Sequence, residues 1–344
     1  MQDRKKTAGQ VTIYDVAREA GVSDATVSRV FNNKDNVREA TRERVLAAAQ
    51  KLGYVANLQA RILAGGKSNI IGLLVPGLDT AYMAEIIRGI DLELSQADYE
   101  MILYTTRRRA GGDEASYLQY IASSLSEGLL LVVPLLSPEY FNTLNDLNYP
   151  YVLIDEIDET DNSCSVDATN RQGAYDATQY LIQLGHRHIA FIQGIPNLHS
   201  SKARLEGYVA ALQDHNVPVY DQYIVDGDFM PTTGYHQTQH LLSLSAPPTA
   251  IFAANDIMAL AVMDAIRDQG LDIPGDISVI GFDDIPQAFT THPKLTTVRQ
   301  PLEEMGKMGV KLLLEQIANP ERQPRRVTLA TELIIRDSCQ PIKT

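Results

Sequence analysis

The sequence predicts an α/β chain made of an N-terminal helix-turn-helix domain followed by a body of two doubly wound units. Three observations carry this prediction. Residues 11–54 hold three short amphipathic stretches punctuated by glycine. From Ile70 onward, brief and nearly continuous apolar runs alternate with longer helix-like stretches, the pattern of parallel sheets covered on both faces. Charge divides the chain in the same way. Residues 1–66 carry 11 Lys and Arg against 7 Asp and Glu, and the remainder carries 19 against 36, within a net charge of −13. A basic head on an acidic body fits a head that meets phosphate and a body that does not.

In the head, Thr12 is placed to cap a first helix near Ile13–Ala20, with Val16, Ala17 and Ala20 on one face. Gly21 ends it, since glycine takes a positive φ at little cost. Ser23 caps a second helix near Asp24–Asn32. A third spans about Thr41–Leu52, its buried stripe read as Val45, Leu46 and Ala49, and Gly53 closes it. Two helices joined by a short glycine-containing turn form a helix-turn-helix. Residues 55–69 follow, where Asn57 can start a helix of about two turns that is marginal alone in water.

The body offers IIGLLV, EMILYTT, GLLLVV, YVLID, HIAFIQG, TAIFAAN and ISVIGFD as strands. They group into two similar units, residues 70–155 and 187–283. Two such units in tandem leave a cleft at the carboxyl ends of their strands, where ligands of α/β proteins bind. Asp155, Asn255 with Asp256, and Asp283 with Asp284 stand at strand ends, and Arg204 lies in the helix-like KARLEGY. Asp256 and Asp284 read better as caps of helices or turns than as ligand contacts.

Composition narrows the function classes. A chain of 344 residues with 44% hydrophobic content supports two or three packed units, even without tryptophan. The two cysteines, Cys164 and Cys339, have neither disulfide-framework nor metal-site spacing, as expected in a reducing compartment. The charged start MQDRKKTAGQ leads into no apolar signal region, and no apolar run has membrane-spanning length. A cytoplasmic location and no membrane association are therefore expected. His186 and His188 in GHRH lack a third ligand nearby, so no metal is expected. There is no nucleophile beside a base, no phosphate-binding loop and no Gly-x-Gly-x-x-Gly after a strand. Neither enzymic activity nor a cofactor is expected.

The stretch TIYDVAREAGVSDATVSRVFNN closely resembles the N-terminus of the lactose-repressor (LacI/GalR) family, and NVREATRERVLAAAQKLGYVANLQARILAGGKS resembles its third helix and hinge. The resemblance continues in order through IGLLVPGLDTAYMAEIIRGI, LGHRHIAFIQG, ARLEGYVAAL, AANDIMALAVMDAI, DISVIGFDD, LTTVRQP and LIIRDS. It implies an effector-responsive regulator of transcription, commonly a repressor, with a body resembling periplasmic sugar-binding proteins. The implied boundaries are 1–56 for the DNA-binding domain, 57–67 for the hinge and 68–344 for the body. Within the body, an N-subdomain covers about 68–164 and 293–325, and a C-subdomain about 165–292 and 326–344. Arg38 stands where the family often has serine before the third helix, which transfers the expected cap to Asn36. No heptad helix follows LIIRDS, so a homodimer on a pseudo-palindromic operator is expected.

The resemblance implies a DNA-facing set of Thr12, Tyr14, Ser23, Asp24, Ala25, Thr26, Ser28, Arg29 and Asn32. Arg29 suits guanine and Ala25 a thymine methyl; Asp24 suits either a cytosine amino group or the rejection of wrong sites by repelling phosphate; Thr26, Ser28, Asn32 and Tyr14 suit the backbone. Asn57 and Ala60 match the hinge pattern, and Leu63 takes the place of the leucine that wedges into the minor groove. In the cleft, the implied effector contacts are Asp155, Arg204, Asn255 and Asp283, with Phe229 as an aromatic wall and Tyr82 and Met83 on the N-terminal side. Carboxylate, amide, guanidinium and aromatic groups together suit a sugar. The segment TAYMAEII is closer to the purine repressor, which makes a nucleoside or purine the alternative effector. A protein co-regulator, as in the catabolite-control branch, is the other alternative.

Overall fold

The computed structural model describes residues 11–31, 36–54, 67–106, 121, 125–134, 138–157 and 162–342. Two compact units emerge. The head holds α1 (Ile13–Ala20), α2 (Asp24–Phe31) and α3 (Glu39–Leu52). Asp15 accepts from both the backbone N–H and the hydroxyl of Thr12, at 3.0 and 2.7 Å, fixing the start of α1. Gly21 closes that helix at φ +64°, and Gly53 closes α3 at φ +65°. The Ser23 hydroxyl accepts from the Thr26 N–H at 3.2 Å, as its capping role requires.

The small core joins Val16, Ala17, Ala20, Val27, Val30, Val45, Ala48 and Ala49. Leu46 is 47% exposed, so the expected stripe on α3 is corrected: Ala48 takes its place. The third helix also begins two residues before the expected Thr41, with Arg38 at the cap position and no side-chain capping bond, so Asn36 does not cap it. The backbone is held at this end by Arg42, whose guanidinium donates to the Val30 carbonyl at 3.3 Å.

The body comprises β1 (Ile70–Val75), α4 (Ala81–Gln96), β2 (Glu100–Thr105), β3 (Gly128–Val132), α5 (Pro138–Asp146), β4 (Tyr151–Ile154), β5 (Cys164–Ala168), α6 (Asn170–Gln183) and β6 (Ile189–Ile192). It continues with α7 (His199–Asp214), β7 (Ile224–Val225), α8 (Pro231–Leu242), β8 (Ala250–Ala253), α9 (Asp256–Asp268), β9 (Ser278–Asp283) and α10 (Pro286–Thr290). Last come β10 (Thr296–Arg299), α11 (Leu302–Ala318), β11 (Arg326–Leu329) and β12 (Glu332–Ile334). One six-stranded sheet runs β11-β5-β4-β3-β1-β2, and the other β12-β10-β9-β8-β6-β7. Pairing through the centre of each sheet is parallel, with β12 antiparallel to β10. Every residue of β1, β3, β4, β6, β8 and β9 is buried, because helices cover both faces.

The chain changes sheet after β5, after β10 and again between β11 and β12. The expected subdomain limits therefore move by a few residues. Strands β5 and β11 belong to the first sheet and β10 to the second, the reverse of the expected division at 164/165, 292/293 and 325/326. These strands (CSVDA, TTVR and RVTL) are short and half polar, so their placement depends on which strand edge is free to pair and not on their own periodicity. The crossings are stitched together locally. The Thr331 N–H donates to the Thr169 hydroxyl at 2.9 Å, and the Gln300 amide donates to Asp283 at 2.8 Å. Among the described residues, no helix is long and apolar enough to cross a membrane.

Candidate functional site

The body contains a cavity of about 380 Å³ lined by residues from both lobes. All seven cleft residues singled out from the sequence line it: Tyr82, Met83, Asp155, Arg204, Phe229, Asn255 and Asp283. The topology brings them together. Asp155 follows β4 of the first sheet, Asp283 ends β9 of the second, and Asn255 follows β8. Tyr82 and Met83 open α4, and Arg204 projects from α7.

Arg204 is the electrostatic centre of the cavity and is 2% exposed. Its Nε donates to Asn170 Oδ1 at 2.8 Å, and its Nη1 donates to the Ala254 carbonyl at 2.5 Å. The same Nη1 lies 3.8 Å from Asp283 Oδ1. The guanidinium also covers the Phe282 ring at 3.8 Å, with Phe229 at 5.8 Å. Tyr82 donates its hydroxyl to Asp155 Oδ2 at 2.6 Å, while Asp155 Oδ1 is buried and has no hydrogen-bond partner among the described residues. Burial raises the Asp155 carboxyl, opposed by Arg204 and Tyr82. Asn255 serves the scaffold as well. Its Oδ1 caps α9 at the Met258 N–H, at 2.9 Å, and its Nδ2 donates to the Phe229 carbonyl at 3.2 Å.

Three of these residues hold backbone conformations that side chains disfavour: Asp155 at φ +56°, Phe229 at +65° and Asp283 at +119°. Each costs about 1–3 kcal/mol and persists only where the surroundings enforce it. Here the enforcing contacts are those just described, including the Asn255 bond that holds the Phe229 carbonyl.

Asp256 and Asp284 do not line the cavity, in keeping with the structural role expected for them. Asp256 accepts from the Ile285 N–H at 2.9 Å and from the Thr297 hydroxyl at 2.5 Å. Asp284 binds Arg299 at 2.8 Å and Arg336 at 2.5 Å. His186 is bonded to the Thr249 and Ser278 hydroxyls, and His188 packs on Tyr220 and Tyr223. Among the described residues, no acidic, His or Cys group forms a metal cluster. Asp79, Val133, Ile195, Ser200 and Met230 also line the cavity but were not singled out from the sequence. Asp79 and Ile195 follow β1 and β6, so their position after a strand was an available signal. Asn170 was missed because nothing in its local sequence indicates that it orients Arg204.

Burial pushes Asp283 up to about 7, against the lowering effects of Arg204 and Gln300. Asp256 lies well above the carboxylate range, first through burial and then through Asp283. Between the ordinary 3.8 and about 7, the folded chain holds a proton on Asp283 that the unfolded chain has lost. Its contribution to stability is therefore full at acid pH and declines as pH rises through that window. Urea denaturation across this range is expected to show that decline, and Asp283→Asn is expected to flatten it. An unchanged slope in the variant would assign the decline to other groups.

In the head, the second helix of the helix-turn-helix presents Asp24, Ala25 and Arg29 to solvent, while Val27 and Val30 face the core. Tyr14 is 64% exposed and Thr12 is also exposed. Thr26 and Ser28 are half-buried. The Ser23 and Thr26 hydroxyls bond each other at 2.9 Å, which holds them at the start of α2. Asn32, Asn57, Ala60 and Leu63 lie outside the described residues.

A helix-turn-helix head and a two-lobed body with a largely apolar cleft that carries a few buried polar groups define a ligand-responsive, DNA-binding regulator of transcription. Residues 12–57 match the family of bacterial regulatory proteins, lacI family, and residues 178–339 match the periplasmic binding protein-like domain. The chain is 34% identical over 339 residues to the probable HTH-type transcriptional repressor ExuR of Bacillus subtilis, covering 97% of this chain and 100% of that protein. Among solved structures, the lac repressor dimer bound to operator and the anti-inducer ONPF superposes with TM-score 0.86 at 30% identity, covering 96% of this chain and 100% of the other. The complex of the transcriptional regulator CelR with cellobiose gives 0.74 at 33% identity, with the same coverage. The chain belongs to the lacI family of bacterial regulatory proteins.

Proposed function

We propose that two copies of this chain bind a pseudo-palindromic operator and repress transcription, with a sugar in the cleft setting the affinity for DNA. The observation that carries this reading is the convergence of Asp155, Arg204, Asn255, Asp283 and Phe229 on one cavity between two lobes. Buried acceptors and donors match vicinal hydroxyls, and an aromatic wall matches the C–H face of a pyranose. The likeness to a cellobiose complex and to an operator-bound dimer supports it. No catalytic step is required of any of these groups.

In this reading, α2 lies in the major groove, with Arg29 donating to guanine and Ala25 packing on a thymine methyl. Thr12, Tyr14, Ser23, Thr26 and Ser28 hold phosphates and fix the register, and Asp24 rejects wrong sites. A ligand that prefers one arrangement of the lobes shifts the DNA-binding equilibrium only by its differential affinity, typically 1–3 kcal/mol. Calorimetry of the full chain against sugars and nucleosides, followed by operator gel shifts with each binder, tests this. A sugar that binds and changes operator affinity is the expected result. Binding of nucleosides alone would replace the sugar with the alternative effector. Binding of neither class, with operator affinity unaffected, would indicate a protein co-regulator.

A further inference from the structure

The sugar reading of the cleft, on which this inference rests, does not by itself fix the charge of the sugar. The ionisable side chains do. Among the described lining residues, the carboxylates are Asp79, Asp155 and Asp283, and the one cation is Arg204. That cation is partly committed. Its Nε and Nη1 donate to Asn170 and the Ala254 carbonyl, Asp283 balances its charge, and it lies over the Phe282 ring. An acidic ligand that drew on Arg204 would have to compete with Asp283 and leave that carboxylate buried without its counter-charge. Asp155 Oδ1, which has no partner among the described residues, is an acceptor when the carboxyl is ionised. It can be satisfied by a hydroxyl or an ammonium of the ligand but not by a carboxylate or phosphate group.

We propose that the cleft selects an uncharged or amino sugar, which donates a hydrogen bond to Asp155 Oδ1, and that Asp155 and Asp283 together reject sugar acids and sugar phosphates. Above the value of about 7 to which burial raises Asp283, the described wall is net negative, and in a poorly screened cavity it repels a further anion. The discrimination between matched ligands is therefore expected to be at least about tenfold in Kd.

The test uses the full chain and matched probes that differ in charge alone. These are glucose, glucosamine, glucuronate and glucose 6-phosphate; galactose, galactosamine and galacturonate; and cellobiose with cellobionate. Adenosine and guanosine serve as controls. Calorimetry and thermal shift at one ionic strength, at a pH about one unit above the value of about 7 to which Asp283 is raised, give the ranking. The proposal is supported if, in each series that binds, the neutral or amino member binds at least about tenfold more tightly than the acid. A uronate, aldonate or phosphate that binds as tightly as its parent, or more so, overturns the charge selection and leaves the sugar reading intact. Binding of the nucleosides alone, or of no probe, overturns both. Asp155→Asn keeps the shape of the side chain and removes its charge. In that variant the disadvantage of the acid is expected to shrink by about tenfold. An unchanged ratio would remove Asp155 from the selection. The wild-type ranking stands as the test if that variant does not fold.

Discussion

Replacing Arg204 with leucine is expected to destabilise the body by about 3–5 kcal/mol and to abolish the effector response. The loss comes from what the guanidinium leaves behind. Asn170 Oδ1 and the Ala254 carbonyl lose their donor, and Asp283 is left as a buried carboxylate without a counter-charge. Leucine also removes the planar cation stacked on Phe282. Urea unfolding measures the first effect, and operator gel shifts in the presence of a binding sugar measure the second. Arg204→Lys is expected to recover part of the stability but little of the response, because an ammonium cannot reach Asn170, Ala254 and Asp283 with the same fork. If Arg204→Leu unfolded within about 0.5 kcal/mol of wild type, Arg204 would not be the centre of the cleft.

Arg29→Ala is expected to act on DNA alone. Its side chain is exposed on α2, so folding stability is expected to stay within about 0.5 kcal/mol of wild type. Loss of a bidentate guanine contact costs about 1–3 kcal/mol in each half-site, and a symmetric dimer incurs it twice. Competition gel shifts are expected to show lower operator affinity together with relaxed preference at one base pair of each half-site. A uniform loss across all sequences, with a reduced salt slope, would make Arg29 a phosphate contact instead.

The head was the most legible part of the chain. Caps, glycine stops and a helical stripe are local signals, and Thr12, Ser23, Gly21 and Gly53 all act where the pattern places them. Elsewhere in the head the local signals are weak. Nothing in EATRERVLAAAQKL distinguishes Leu46 from Ala48 as the inward residue, because the choice depends on how α3 packs against α1 and α2. The apolar core strands were also legible, since burial on both faces leaves continuous hydrophobic runs.

The sequence alone determined that a basic helical head precedes an acidic, doubly wound body, and it picked out the side chains that stand at strand ends. Only the tertiary structure decided which sheet takes β5, β10 and β11, because edge pairing is settled by partners distant in the chain. It also decided what each cleft residue does. Asn170 holding Arg204, the Asp155 oxygen without a partner among the described residues and the capping bond of Asn255 all depend on contacts across loops and lobes. Residue type and spacing report what a side chain can offer. The folded packing sets which of those offers are already taken.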